Sequence, residues 1–83
     1  MINSNVSLNE LMRMVNSSLH DVERGEEFKV QDLFRGFEWK RIPREMRTKL
    51  GSMVLILAKS GSLSSKIEPT RKTSLQQQMY IKK

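Results

Sequence analysis

Lys40, Arg41, Arg44 and Arg47 crowd into positions 40–47, and Lys66, Arg71, Lys72 and Lys82 recur through the last third of the chain. Cationic side chains at this density do one kind of chemistry well. They neutralise phosphates, and each neutralised phosphate releases condensed counterions, which drives association. The charge is not spread evenly. Residues 1–30 carry three Lys/Arg against five Asp/Glu, whereas residues 31–83 carry twelve against four, a net of +8. An even spread would speak only to solubility; this asymmetry points to a face that meets a polyanion. Tyr80 alternates with its neighbours on the same side as Gln76, Gln78 and Lys82, which makes it the aromatic placed to stack on an unpaired base.

Other chemistries are poorly provisioned. There is no cysteine and one histidine, His20, which falls in an amphipathic segment and reads as a helix-surface residue. Glu23, Glu26 and Glu27 form a carboxylate cluster without His partners, so they read as a solvated turn rather than an acid–base or metal site. Glycines at 25, 36, 51 and 61 lack the spacing of a phosphate-cradling loop. The expectation is a protein with no catalytic residues, no metal and no cofactor. The apolar run Met53–Ala58 is far shorter than the roughly 20 residues of a membrane span, and the N-terminus lacks the pattern of a signal peptide. A cytoplasmic, membrane-free setting is therefore expected. At 83 residues the chain reads as a single domain, and a chain of that size buries only about 60–65% of its unfolded surface.

The elements that must position the cations can be read from local signals. Ser7-Leu8-Asn9-Glu10 is a capping box, with Val6 and Leu11 placed as a hydrophobic staple. Leu8, Leu11, Met12, Val15, Leu19 and Val22 make one apolar stripe, so a helix is expected over 7–24, closed by Gly25, with residues 1–6 flexible before it. Residues 26–30 alternate like a short edge strand, Gln31–Arg35 suit one or two helical turns, and Gly36–Arg41 read as a loop carrying Phe37 and Trp39. Pro43 suits the first position of a helix. Met46, Leu50, Met53, Val54 and Leu57 then share one face of a long helix, with Arg44, Thr48, Ser52, Leu55 and Lys59 on the other. Gly51 inside it costs about 1 kcal/mol relative to Ala, which either close approach of another element or plain sequence drift would account for. Leu63–Glu68 and Thr73–Ile81 read as two strands around a turn at 69–72, giving a hairpin over 63–82.

Helix, short strand, short helix, loop, long helix and hairpin is the order of an α+β winged helix-turn-helix, with a core at 26–59 and the hairpin as wing. That architecture gathers Lys40, Arg41, Arg44 and Arg47 at the start of the long helix and Lys66, Arg71, Lys72 and Lys82 on the wing. The sequence also carries a likeness. The string Leu33-Phe34-x-Gly36-x-x-Trp39, then Ile42-Pro43, Arg47 and Leu50-Gly51, together with the closing Lys72-Thr73-Ser74, Gln76–Gln78 and Tyr80, resembles a family of short proteins on Gram-positive mobile elements. That family was long catalogued only as a domain of unknown function and includes the winged-helix single-stranded-DNA-binding protein of the staphylococcal cassette chromosome. The likeness covers about residues 26–83, and Leu75 departs from it where a smaller polar residue would suit. It implies a winged helix, affinity for single strands, and a role in replication or transfer of a mobile element. In such a family Phe34, Phe37, Trp39 and Ile42 would line an apolar pocket beside the DNA surface. The partner expected is single-stranded DNA. The alternatives are duplex DNA bound by a regulator or excisionase-like factor, and replication proteins or self-association through Leu55.

Overall fold

The computed structural model describes residues 5–83. Helix α1 spans Leu8–Leu19, strand β1 Glu27–Lys29, helix α2 Gly36–Arg41, helix α3 Arg44–Ser60, strand β2 Ile67–Lys72 and strand β3 Gln78–Lys82, with a 3₁₀ turn over Val30–Leu33. The architecture is α+β, three helices against a three-stranded antiparallel sheet of order β1-β3-β2.

α1 begins where its cap dictates. The Ser7 hydroxyl accepts the Glu10 N–H at 3.2 Å, satisfying one of the first-turn donors that have no partner inside a helix. Val6 and Leu11 are both buried. Of the segment 1–6 expected to be flexible, residues 1–4 lie outside the described residues, and Val6 packs into the core. The helix stops five residues short of the expected 24. Its end is held from the far end of the chain, where the Lys82 ammonium donates to the carbonyls of Leu19 and Val22. The chain then turns through Gly25, whose φ of 90° favours glycine, and whose N–H donates to the Lys82 carbonyl at 2.8 Å.

The expected loop at Gly36–Arg41 is instead the helix α2. Arg35 serves as its N-cap with extended backbone, and Lys40 and Arg41 stand in its last turn, where positive charge complements the helix dipole. A glycine at the first position hid this helix, because a glycine between periodic segments reads as loop punctuation. Pro43 is the N-cap of α3, so the helix starts at Arg44, one position after the expected Pro43.

The hairpin departs most from expectation. Its turn lies at 73–77, not 69–72, and residues 63–66 are turn rather than strand. Pro69 does not break β2, because β2 is an edge strand and that side of a proline needs no partner. Thr73 makes the turn. Its N–H donates to the Gln77 carbonyl at 2.8 Å, and its hydroxyl accepts the N–H groups of Leu75 and Gln77.

β2 also carries a bulge. Pro69 pairs with Tyr80 but Lys72 pairs with Gln78, so β2 has one residue more than its partner over this stretch. Side chains alternate along a strand, and an inserted residue exchanges the faces beyond it. Lys72 therefore joins the helix-facing side with Tyr80, and Arg71 turns to the outer side. The Arg71 carbonyl displaced by the bulge accepts the Gln78 side-chain amide at 3.3 Å.

The core lies between the sheet and the helices. Leu11, Val15 and Leu19 of α1, Leu50, Val54 and Ala58 of α3, and Phe28, Ile67 and Tyr80 of the sheet are all buried. Phe28 and Tyr80 are cross-strand partners with ring centroids 5.9 Å apart. Tyr80 is 1% exposed, so the expectation of an exposed stacking platform is overturned. Alternation identified two faces of β3, and the face carrying Tyr80 is the inner one.

Burial pushes the Tyr80 phenol from its ordinary 10.0 up to about 12, because an ionised phenolate loses its hydration there. The folded pKa lies above the unfolded one, so the associated stability is complete below pH ~10 and is lost as pH rises toward ~12. On the order of 2 kcal/mol should disappear across that window. Tyr80 is the only tyrosine, so phenolate absorbance followed against pH reports it alone. A midpoint near that of free tyrosine would contradict this burial.

Candidate nucleic-acid interface

One side of α3 faces solvent and one side faces the core, and the sequence sets both. Leu50, Val54 and Ala58 point inward. Arg44, Thr48, Gly51, Ser52 and Leu55, at i, i+4, i+7, i+8 and i+11, form a second stripe. The hairpin stands beside that stripe, and between them runs a groove of about 500 Å³. Arg47, Thr48, Gly51, Ser52 and Leu55 line it from α3, Lys72, Gln76, Gln77 and Gln78 from the hairpin, and Lys29, Val30 and Gln31 from the chain leaving β1. Trp39 and Tyr80 border it as well.

Arg47 is the best-defined cation in the groove. Its guanidinium lies over the Trp39 ring, 5.8 Å from the centroid, in a cation–π arrangement that orients it. Its Nε–H is buried and has no acceptor among the described residues. A buried donor without a partner is uncommon in folded proteins and calls for an explanation. Closed to solvent, this Nε–H can receive an anion only if the atoms that cover it move aside. Lys72 lines the same groove as Arg47, on the side of β2 to which the bulge turns it. Lys29 also borders the groove, though it pairs with Met79 and so alternates away from the inward Phe28 and Tyr80.

The remaining basic residues are distributed differently. Arg44 lies at the head of the groove stripe, exposed, and no side chain caps the first turn of α3, which leaves helix N–H groups and positive dipole open to solvent there. Lys40 and Arg41 are exposed at the end of α2 and do not line the groove; the Arg41 guanidinium rests over Phe37, 5.1 Å from the ring centroid. Lys66 is exposed in the turn before β2, at the opposite end of that strand from Lys72 and so roughly 20 Å away. Arg71 faces outward and pairs with Glu27 at 3.2 Å, an exposed bridge that contributes at most about 1 kcal/mol. Lys82 is committed to the end of α1. The groove thus unites Arg47 and Lys72, with Arg44 at its mouth, and leaves Lys66, Arg71 and Lys82 elsewhere.

The four apolar residues named from the sequence also divide. Phe34 and Ile42 are buried in the core, with the Phe34 and Trp39 rings 5.6 Å apart. Trp39 alone of the four reaches the groove, and Phe37 is 48% exposed. They do not line a common pocket. Leu55 is half-buried against the core and lines the groove, whereas its neighbour Ile56 is 60% exposed.

Among the described residues, no group of three or more His, Asp or Glu is arranged to hold a metal. None of their helices is long and apolar enough to cross a membrane. A family model described as a domain of unknown function, DUF1413, matches residues 13–82. The chain belongs to the DUF1413 family. The match takes in every element from the middle of α1 to the end of β3, so both walls of the groove belong to the DUF1413 domain. No curated protein and no solved structure matches the chain significantly.

Proposed function

We propose that this DUF1413 protein is a non-catalytic single-stranded-DNA-binding protein, built as a winged helix with α3 and the β2–β3 hairpin as the two sides of its DNA groove. It would serve replication or transfer of a mobile genetic element, as the sequence resemblance implies. The observation that carries the reading is Arg47: a guanidinium held over an indole on the wall of an open groove that Lys72 also lines. A phosphate oxygen is the natural occupant, since arginine donates to phosphate in a fixed fork geometry. Lys72 on the facing wall and Lys29 beside it would hold neighbouring phosphates, and Arg44 with the uncapped start of α3 would extend the track. Thr48, Ser52 and the glutamines of the turn offer hydrogen bonds without a fixed reading of one base, which suits a strand bound chiefly through its backbone.

The decisive test is competition at fixed salt among oligo-dT, single-stranded RNA and a random duplex of equal length. Oligo-dT should bind tightest. Tighter binding to a duplex would move the protein to the class of duplex-reading regulators or excisionase-like factors. If Lys29, Arg44, Arg47 and Lys72 each neutralise one phosphate, log affinity should fall with log salt at a slope of about −3. A salt-insensitive complex would remove the phosphate track from consideration.

A further inference from the structure

Two residues that face the groove are poor choices for local stability, and they stand on opposite walls. Gly51 lies in the middle of α3, where alanine is the more stable residue. Packing does not require the glycine: apart from its chain neighbours and the backbone of its own helix, a Cβ built there meets nothing within 4 Å. The close approach that would account for it within the fold is therefore missing, and the space beside its backbone opens into the groove. On the other wall, Gln76 has φ 65°, a left-handed conformation that side chains other than those of glycine, asparagine and aspartate seldom adopt. The Thr73 turn fixes it there, with the Gln76 N–H donating to the Thr73 carbonyl at 2.9 Å. Its side-chain amide makes no hydrogen bond to the described residues, unlike that of Gln78, which is spent on the carbonyls of Arg71 and Met79. Strained backbone held in place by its surroundings is characteristic of sites that contact a ligand.

From this pairing we infer that the groove contains a slot for one unpaired nucleobase, lying flat against the bare backbone at Gly51 with its edge hydrogen-bonded to the Gln76 amide. The inference rests on the reading of the groove as a single-strand site and adds a base contact to it. A base is flat, so it can lie closest to a helix where no Cβ projects. An amide offers a donor and an acceptor side by side, which match the paired donor and acceptor on the edge of an unpaired base. Trp39, half-buried and lining the groove, gives the slot an apolar wall.

The experiment compares the full chain with its Gly51→Ala and Gln76→Gly variants, binding oligo-dT and an abasic strand of the same length. Gly51→Ala should raise the melting temperature by about 4–8 °C, and Gln76→Gly should not lower it, because glycine accepts the left-handed backbone. Both variants should nonetheless bind oligo-dT about tenfold more weakly, the scale of one polar base contact. Both should bind the abasic strand as the parent does, with an unchanged salt slope. Undiminished affinity for oligo-dT in either variant overturns the slot. So does an equal loss on both strands, which would place these residues against the backbone of the DNA. A lowered melting temperature for Gly51→Ala would show the space to be filled by the protein itself. Failure of the parent chain to bind either strand is a different result, and it overturns the proposed function as a whole.

Discussion

Replacing Arg47 and Lys72 together by glutamine should weaken binding to oligo-dT by about a hundredfold and reduce the magnitude of the salt slope by about 1.4. The slope follows from two phosphates released on a single strand. The affinity loss follows from two charge-assisted hydrogen bonds, each contributing about 1.5–3 kcal/mol where solvent is excluded, discounted because the groove is open on one side. Every 1.4 kcal/mol is about tenfold. The fold should survive the change. Lys72 is exposed, and Arg47 gives up a cation–π contact with Trp39 of about 0.5–1 kcal/mol. The control is a substitution that removes the same net charge from sites outside the groove, Lys59→Gln with Lys66→Gln. If attraction were only a matter of net charge, the two double variants would weaken binding equally and the groove would have no special standing. A large difference between them locates the contact. Titration by fluorescence anisotropy at several salt concentrations yields both quantities from one set of measurements.

Why Arg47 and Lys72 meet, while Lys66 and Lys82 do not join them, marks the boundary of what the sequence discloses. Short-range signals were legible. Ser7 and Glu10 placed the start of α1, the 3.6-residue stripe placed the buried face of α3, and alternation from Phe28 placed the edge strand β1. Features decided by pairing across the chain were not. The bulge in β2 is a property of register against β3, and no local pattern announces the extra residue that sends Lys72 inward and Arg71 outward. Pro69-Thr70-Arg71-Lys72 has the composition of a turn, yet an edge position in the sheet makes it strand. The true turn depends on one threonine hydroxyl. Lys82 looked like one more wing cation because its partners, the carbonyls of Leu19 and Val22, lie some sixty residues earlier in the chain. Both faces of β3 carry apolar residues, so periodicity could separate Tyr80 from Met79 and Ile81 without saying which side was inside.

Tyr80→Ala should remove a large share of the stability of the fold. The side chain is 1% exposed, stacks on Phe28 across the sheet and pairs in register with Pro69 on the other side, so its loss opens a cavity where all three strands meet the helices. Truncating a buried aromatic costs about 3–5 kcal/mol, and a chain of this length has on the order of 4–12 kcal/mol in total. A surface aromatic that stacks on bases would behave in the opposite way, with little effect on unfolding and a loss of about 1–3 kcal/mol in DNA affinity. The two outcomes separate cleanly in a denaturant titration run beside a binding assay at low temperature, where the folded fraction is measurable. Tyr80→Phe completes the comparison. It keeps the stacked ring on Phe28 and removes the hydroxyl, so it should hold most of the stability and the affinity, and it should abolish the loss of stability between pH ~10 and ~12 that follows from the raised phenol pKa. Persistence of that alkaline transition in the phenylalanine variant would assign it to another group and remove Tyr80 from the explanation.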